Sequence, residues 1–319
     1  MKAISRRELA TTAQWAARGV SADRLRQLVR TGDLVLLRRG VYARADSLAS
    51  SADDPVRMHA LRVAAALLPG RALASASHES AAILHGLDLL ERPPESLVTL
   101  TRPPHMRGSR ASGNDLKVHA ATLPPGDVTK HYGLPVTSVA RTVVDLARAL
   151  PFQHGVVVAD SALHARKVTR DELDRVLATC SAWPGGERAR RVVAFSDRRS
   201  ESVLESCARV TFDDHGLPPP ELQVDIGDDQ IIGRVDFYWG QYLTIAEADG
   251  MIKYAVAGRA VRQLERDQLL REAGFKVVHF TWRQLFRETD RLIVRIREAF
   301  ARPGPFKVIP SSAQRRVRN

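Results

Sequence analysis

Three acidic side chains fall on two neighbouring segments that the sequence predicts to form a β-hairpin. Two apolar runs, residues 235–239 and 242–250, are separated by a short glycine-containing break. Side chains alternate along a strand, so Glu247 and Asp249 are expected on the same face. Asp236 lies on the antiparallel partner, and the pattern therefore predicts three carboxylates converging on one small patch.

Carboxylates that face one another repel, and one of them titrates upward unless a cation neutralises them. A Mg²⁺-like ion bound by such oxygens is the economical explanation, and it would support hydrolytic chemistry. Two other interpretations stay open. The acids could be exposed on a surface hairpin, or they could form an ion-pair network with Arg234 and Lys253.

The charge of the chain favours a polyanionic partner. The 319 residues carry a formal net charge of +12, with a sequence pI near 10.3. Residues 1–50 hold ten Lys and Arg residues against four acidic ones, and residues 301–319 hold five against none. We therefore expect DNA contact near the N-terminus and interpret 301–319 as a basic tail.

Cysteine content and hydropathy favour a cytoplasmic protein with no membrane partner. The two cysteines, Cys180 and Cys207, show no close pairing and no zinc-ligand spacing. No apolar run approaches the length of a membrane span, and the N-terminal segment has no secretory apolar core.

The first fifty residues predict a helical pair followed by a small hairpin. A capping box at Ser5 and Glu8 predicts a helix running to about Arg18. Ser21 is the expected N-cap of a second helix, which Gly32 closes. This order is typical of a helix-turn-helix, and the hairpin behind it would complete a winged form.

In the second helix Leu25, Leu28 and Val29 form the expected buried stripe. Arginine and glutamine side chains suit both base edges and phosphates. The residues expected to contact DNA are Arg24, Arg26, Gln27 and Arg30 on the helix, with Arg38 and Arg39 at the tip of the hairpin. The alternative is an ordinary helical pair with a solvated basic face.

From residue 51 to 190 the sequence alternates predicted helices with short strands. Helices are expected at 55–68, 77–84 and 137–150, a strand at 97–101, and a capping box at Thr169–Glu172. Trp183–Gly186 is expected to mark a boundary. His78, Glu79 and His85 have helical spacing, but we interpret the histidines as structural because no third metal ligand is evident.

The C-terminal part predicts a mixed sheet covered by helices. Helices are expected at 200–212, 263–273 and 292–300, and strands at 221–226, in the acidic hairpin and at 276–281. Residues 197–300 resemble the very-short-patch-repair-like branch of the PD-(D/E)XK nuclease superfamily. The motifs that carry this resemblance are Glu205, Gln223, VDF at 235–237, EADGMIKY at 247–254 and VVHFTW at 277–282.

The preceding residues, including the winged helix and the stretch 137–146, are similar to actinobacterial AbiEi-type antitoxin proteins. Together the resemblances imply an α+β protein. It would have a winged helix-turn-helix at 1–50, a mixed α/β antitoxin-like middle domain at 51–190, and a restriction-endonuclease-like domain with a mixed sheet at 196–300.

The nuclease resemblance implies that Asp236 and Glu247 bind Mg²⁺ or Mn²⁺, with Glu205 as a further ligand. It also implies that Gln223 orients the substrate or the attacking water. The motif usually has a lysine two residues after Glu247, but this chain has Asp249 there. Lys253 is the residue expected to return an ammonium group to the site.

Two functions stay open at this point. The first is a DNA-binding protein whose C-terminal domain is a metal-dependent endonuclease that hydrolyses phosphodiester bonds. The second is an antitoxin or transcriptional repressor that binds its operator and retains a catalytically inactive nuclease-like fold. DNA is the expected partner in both, and a cognate toxin protein is a further expected partner in the second.

Overall fold

The computed structural model divides the chain into two compact units, Met1–Ser196 and Asp197–Asn319. It describes residues 3–5, 7–69, 73–104, 115–180, 182–227, 231–250 and 257–303, so most of the predicted basic tail lies outside the described residues. Both units combine helices with sheets, which confirms the α+β class. None of the helices in these ranges is both long and apolar enough to cross a membrane.

The first unit opens with a three-stranded antiparallel sheet and two helices. Its elements are β1 (Leu9–Thr11), α1 (Thr12–Ala16), α2 (Ala22–Arg30), β2 (Leu34–Arg38) and β3 (Val41–Arg44). The strands lie in the order β1-β3-β2. Ser21 caps α2 as predicted, because its hydroxyl accepts the N–H of Arg24.

The predicted helix from Ser5 to Arg18 is wrong. Glu8 does accept the N–H of Ser5, which is half of a capping box. Leu9 and Ala10 are nevertheless buried in a strand that pairs with β3, and helix α1 begins only after a second capping box at Thr11. Burial of two apolar residues in the sheet outweighs the local helix signal.

The predicted buried stripe of the second helix is only partly correct. Leu25 is buried, but Leu28 is half-buried and Val29 is exposed. Leu25 is the one buried residue of this nine-residue helix, so the apolar positions of the following turn lie closer to solvent.

A shared core joins this segment to the middle of the chain. Helices α3 (Ala45–Ala49) and α4 (Pro55–Leu67) follow β3. Leu9 and Val41 pack with Leu61 and two alanines of α4. The half-buried ion pair of Glu8 with Arg57 and the hydrogen bond from Ile4 N to Tyr132 O are polar contacts between the same segments. The N-terminal elements are therefore fixed on the body of the first unit.

The remainder of the first unit is a five-stranded mixed sheet with helices. Its elements are β4 (Ser75–Ala76), α5 (His78–His85), β5 (Val98–Arg102), β6 (Leu116–Ala120), β7 (Val128–His131), β8 (Leu134–Thr137), α6 (Val139–Ala149), α7 (Phe152–His164), α8 (Arg170–Cys180) and α9 (Gly186–Phe195). The strand order is β6-β5-β4-β8-β7, with parallel pairs β5/β6 and β4/β8.

The predicted boundary at Trp183–Gly186 is wrong, because the first unit continues to residue 196. Gly185 is the N-cap of α9 and has a φ of +80°. A Cβ at this position would lie 2.3 Å from the carbonyl oxygen of Arg148. The segment is therefore packed tightly against α6 and is not a linker.

The second unit is a four-stranded mixed sheet with helices. Its elements are α10 (Val203–Asp214), β9 (Glu221–Gly227), β10 (Ile231–Trp239), β11 (Thr244–Asp249), α11 (Ala257–Glu272), β12 (Lys276–Thr281), α12 (Trp282–Arg287) and α13 (Thr289–Ala301). The strand order is β12-β11-β10-β9, and β11 and β12 run parallel. An aromatic cluster of Phe212, Phe237, Trp239 and Phe280 packs α10 on this sheet.

Candidate functional site

Helix α2 presents a polar and mainly basic face. Arg24, Arg26, Gln27 and Arg30 are all exposed, as the sequence predicts. Arg24 Nη1 donates to Gln27 Oε1 at 2.8 Å, and Arg26 forms an ion pair with Asp23 one turn earlier. Exposed pairs of this kind are worth little, so these side chains can turn to another partner at small cost.

The hairpin behind α2 brings only one of its two predicted arginines to the surface. Arg39 is exposed beside Gly40, which has a φ of +74° in the turn. Arg38 is different, because its side chain is 14% exposed and its Nη1 lies 3.4 Å from Asp115 Oδ2. The charge of Arg38 is thus already neutralised within the first unit.

In the second unit, one glutamine holds two of the predicted site carboxylates. Gln223 Nε2 donates to Glu205 Oε2 at 2.9 Å and to Asp236 Oδ1 at 3.1 Å. Gln223 has a φ of +54°, in the left-handed region that costs a non-glycine residue about 1–3 kcal/mol. The other oxygen of Asp236 accepts the N–H of Ala248 at 2.8 Å. Backbone strain at Gln223 therefore accompanies a defined polar cluster.

Glu205 is the most deeply placed carboxylate of this cluster. It is 7% exposed, and it accepts hydrogen bonds from Ser202 Oγ at 2.7 Å and Glu201 N at 3.0 Å. Burial raises the pKa of Glu205, and the negative charge of Asp236 raises it further. Two carboxylates that share one amide donor thus repel each other, since the amide of Gln223 carries no full positive charge.

Glu247 has a protein cation beside it. Its side chain is 3% exposed, and its Oε1 accepts a hydrogen bond from Arg266 Nη2 at 2.6 Å. Arg266 Nη1 also donates to the carbonyl oxygen of Arg234, which anchors the guanidinium on β10. The sequence left open an ion-pair network with Arg234 and Lys253. Glu247 is ion-paired, but with Arg266, whereas Arg234 pairs with Glu201 and Lys253 lies outside the described residues.

Asp249 faces a histidine that a second aspartate also contacts. His279 Nδ1 lies 3.1 Å from Asp249 Oδ2, and His279 Nε2 lies 2.6 Å from Asp267 Oδ2. Burial alone would lower the pKa of His279, but the hydrogen bonds and charges of Asp249 and Asp267 raise it above its usual value. A histidine between two carboxylates is stabilised as the imidazolium, with both nitrogens donating.

The three hairpin acids are thus held by different partners. Gln223 binds Asp236, Arg266 binds Glu247 and His279 binds Asp249. Within the ranges that the structure describes, no group of three or more His, Cys, Asp or Glu side chains is arranged to hold a metal ion. Lys253 lies outside the described residues, and the Mg²⁺ or Mn²⁺ site stays a prediction.

Sequence reasoning did not identify Arg266, Asp267 or His279 as partners of the acidic hairpin. Arg266 and Asp267 lie on α11, 19 residues or more beyond Glu247, and His279 is opposite Glu247 on β12. The only available signal was the histidine within the VVHFTW motif.

Comparison with known proteins places most of this chain in a family. Residues 72–193 match the family model described as the AbiEi antitoxin C-terminal domain. Two proteins of Mycobacterium tuberculosis, called Uncharacterized protein MT2308 and Uncharacterized protein Rv2248, are each 31% identical over 270 residues. The match covers 84% of this chain and 93% of theirs. The chain belongs to their family, and residues 72–193 are its AbiEi domain.

The AbiEi domain comprises β4 through α9 except for the last two residues of that helix, and it is the part that carries the five-stranded sheet. The crystal structure of RV2827C protein from Mycobacterium tuberculosis is also similar, at 18% identity and a TM-score of 0.40. That alignment covers 60% of this chain and 78% of the other.

Proposed function

We propose that this protein is a DNA-binding antitoxin of the AbiEi type that represses transcription at its own operator. One observation carries the proposal: the segment that matches the AbiEi antitoxin domain is preceded in the same compact unit by helix α2, whose exposed face is arginine-rich. A cognate toxin protein is the second proposed partner.

The order β1, α1, α2, β2, β3 supports a winged helix in which α2 would be the recognition helix and β2–β3 the wing. In this arrangement Arg24, Arg26, Gln27 and Arg30 enter the major groove or contact its phosphates. Arg39 at the wing tip contacts the backbone. Arg38 is left out of this set because Asp115 already binds it.

Fluorescence anisotropy with a duplex from the promoter of its own gene tests this proposal. Replacing Arg26 and Arg30 by alanine is expected to weaken binding by about 1–3 kcal/mol for each arginine that reads a base edge. For each phosphate that the replaced arginines neutralise, the slope of log affinity against log salt should fall by about 1.

The matched control is Arg190→Ala. Arg190 is an exposed helical arginine that pairs with Glu187 one turn earlier, as Arg26 pairs with Asp23. This variant should bind DNA like the unaltered chain. Equal affinity of the Arg26/Arg30 double variant and the Arg190 variant would overturn the assignment of α2.

The toxin partner has its own test. Cells that express a toxin encoded beside this gene should stop growing, and co-expression of the full-length chain should restore their growth. A chain that lacks the AbiEi domain should not restore it. Repression measured in the same strains separates toxin neutralisation from operator binding.

A second candidate function is metal-dependent DNA cleavage by the second unit, and the strained Gln223 between Glu205 and Asp236 favours it. Asp236, Glu247 and Glu205 would hold Mg²⁺ or Mn²⁺, which would supply a Lewis acid for phosphodiester hydrolysis. The present arrangement does not fit the ion, because the guanidinium of Arg266 already binds the carboxylate of Glu247. We therefore place cleavage second.

Incubation of supercoiled plasmid with Mg²⁺ or Mn²⁺ separates the two functions. Cleavage that is abolished in both Asp236→Ala and Glu247→Ala would establish the endonuclease. Operator binding that survives both substitutions, without cleavage in either metal, would establish the repressor with a nuclease-like scaffold.

A further inference from the structure

The first unit contains a cavity that neither operator binding nor the acidic cluster uses. Its volume is about 700 Å³, within the range of small-molecule sites. The walls come from the start of α5, the ends of β5 and β6, helix α6 and the turn before α9. A cavity of this size is much larger than a water molecule or a simple ion requires.

The electrostatics of the cavity favour an anion. Arg141, Arg148 and Arg188 line it, against one carboxylate, Asp145. Asp145 accepts from Arg141 Nε at 2.8 Å and from Arg148 Nη1 at 3.1 Å, so one negative charge serves two guanidinium groups. Asp127 gives Arg141 a second carboxylate at 2.9 Å. These two carboxylates balance the charges of Arg141 and Arg148, so the net positive charge of the cavity lining comes from the third arginine, Arg188.

Arg188 adds positive charge at the rim of the cavity. Its Nη1 donates to the carbonyl oxygens of Leu150 at 2.8 Å and Arg148 at 3.3 Å. Carbonyl oxygens are neutral acceptors, so these bonds orient the guanidinium without cancelling its charge. Trp183 packs against both Arg141 and Arg148, whose Cζ atoms lie 4.8 Å and 4.9 Å from its ring centroid. The arginines are thus held in place before any ligand arrives.

A pair of stacked histidines forms another wall. The rings of His78 and His119 lie 3.8 Å apart with an interplanar angle of 14°. Within the described residues, the buried Nε2 of His119 has no hydrogen-bond partner. A buried polar atom without a partner costs free energy, and such atoms often mark the place of a missing ligand or water.

Backbone strain occurs at the same wall. His78 is the first residue of α5 and has a φ of +48°, which is unfavourable for a side-chain-bearing residue. Burial, together with the neighbouring His119, lowers the pKa of His78 to about 3. Burial also lowers the pKa of His119. Both rings are therefore neutral at pH 7, and the fixed positive charge comes from the arginines.

We propose that this cavity binds a small phosphate-bearing molecule of about mononucleotide size. His119 Nε2 would donate to a phosphate oxygen, with Arg188 supplying the opposing charge and Arg148 a further guanidinium donor. The remaining wall is mainly apolar, with Pro104, Ala120, Ala121 and Ala149, and it suits the uncharged body of the ligand. This site is independent of the proposed operator-binding surface.

Isothermal titration of the full-length chain tests the proposal, with inorganic phosphate and the four nucleoside 5′-monophosphates as probes. At least one monophosphate should bind at one site per chain with a Kd below about 1 mM. The corresponding nucleoside, which lacks the phosphate, should bind at least about tenfold more weakly. Absence of saturable binding by all five probes would overturn the proposal.

The decisive variant is His119→Phe, because a phenyl ring keeps the stack on His78 and removes Nε2. It should weaken binding of the monophosphate about tenfold or more, the usual effect of removing a hydrogen bond to a charged group. The matched control is His131→Phe. His131 belongs to the same unit, contacts the ring of His85 and has a buried Nδ1 without a partner among the described residues, but it lines a different cavity.

Arg188→Gln provides a second variant, since Arg188 is exposed and its replacement leaves the core intact. It should weaken binding about fivefold or more, with the circular dichroism spectrum unchanged. Undiminished affinity in both His119→Phe and Arg188→Gln, or equal losses in His119→Phe and His131→Phe, would show that the phosphate does not bind here.

Discussion

Replacing Gly185 by alanine should destabilise the first unit through two separable effects. The first is conformational, because Gly185 has a φ of +80° and an alanine in the left-handed region costs about 1–2 kcal/mol. The second is steric. The new Cβ would lie 2.3 Å from the carbonyl oxygen of Arg148, and backbone atoms cannot move aside as a flexible side chain can.

Gly32 supplies the matched control. It also has a φ of +80°, but a Cβ there would meet nothing within 4 Å. Gly32→Ala should therefore cost only the conformational part, about 1–2 kcal/mol. Overpacking in a well-packed site typically adds about 1–3 kcal/mol, so Gly185→Ala should cost about 2–5 kcal/mol in total.

The free energy of unfolding of both variants can be measured by urea denaturation, with hydrogen exchange of the α6 amides as the probe of the first unit. The free energy of unfolding should fall by at least about 1 kcal/mol more for Gly185→Ala than for Gly32→Ala. Equal losses would refute the close packing of Trp183–Gly186 on α6. They would restore the interpretation of that segment as a boundary.

Two further predictions concern the second unit. His279 has a raised pKa in the fold, so its contribution to stability is complete below the unfolded pKa of about 6.5 and disappears as pH rises through the folded value. Hydrogen exchange of the β12 amides should show this decline as pH rises above about 6.5, and His279→Gln should flatten it. A decline that persists in the variant would contradict the assignment. Arg266→Met removes the guanidinium from the buried Glu247 and should cost about 1–3 kcal/mol in urea denaturation. The double variant Arg266→Met with Glu247→Gln should recover part of that loss, and a purely additive result would exclude their coupling.

Elements that depend on local patterns were predicted well from the sequence. Strand β12 has the predicted bounds of Lys276–Thr281, and the hairpin of β10 and β11 forms where the apolar runs indicate it. Ser21 caps α2 because its hydroxyl needs only the N–H of Arg24, three residues later. Such signals are complete within a few residues of chain.

The same kind of signal failed where tertiary burial opposed it. Glu8 and Ser5 make their predicted contact, yet Leu9 lies in a strand. In the strand Leu9 packs against β3 and α4 and is only 2% exposed, and this burial favours the strand over the helix. Likewise, the turn at Gly185 has the composition of a linker, but the carbonyl of Arg148 lies directly against it. Neither neighbour is visible in a local window.

The sequence by itself determined which groups carry charge, namely the arginines of α2 and the carboxylates of the β10–β11 hairpin. It also determined the alternation of side chains that orders the carboxylates along their strands. Only the tertiary structure decided which counter-charge each one meets. Arg38 meets Asp115, Glu247 meets Arg266, and His279 is placed between two aspartates. The physical reason is that pairing energy depends on distance in space and on burial, and these contacts join residues separated by 12 to 77 positions.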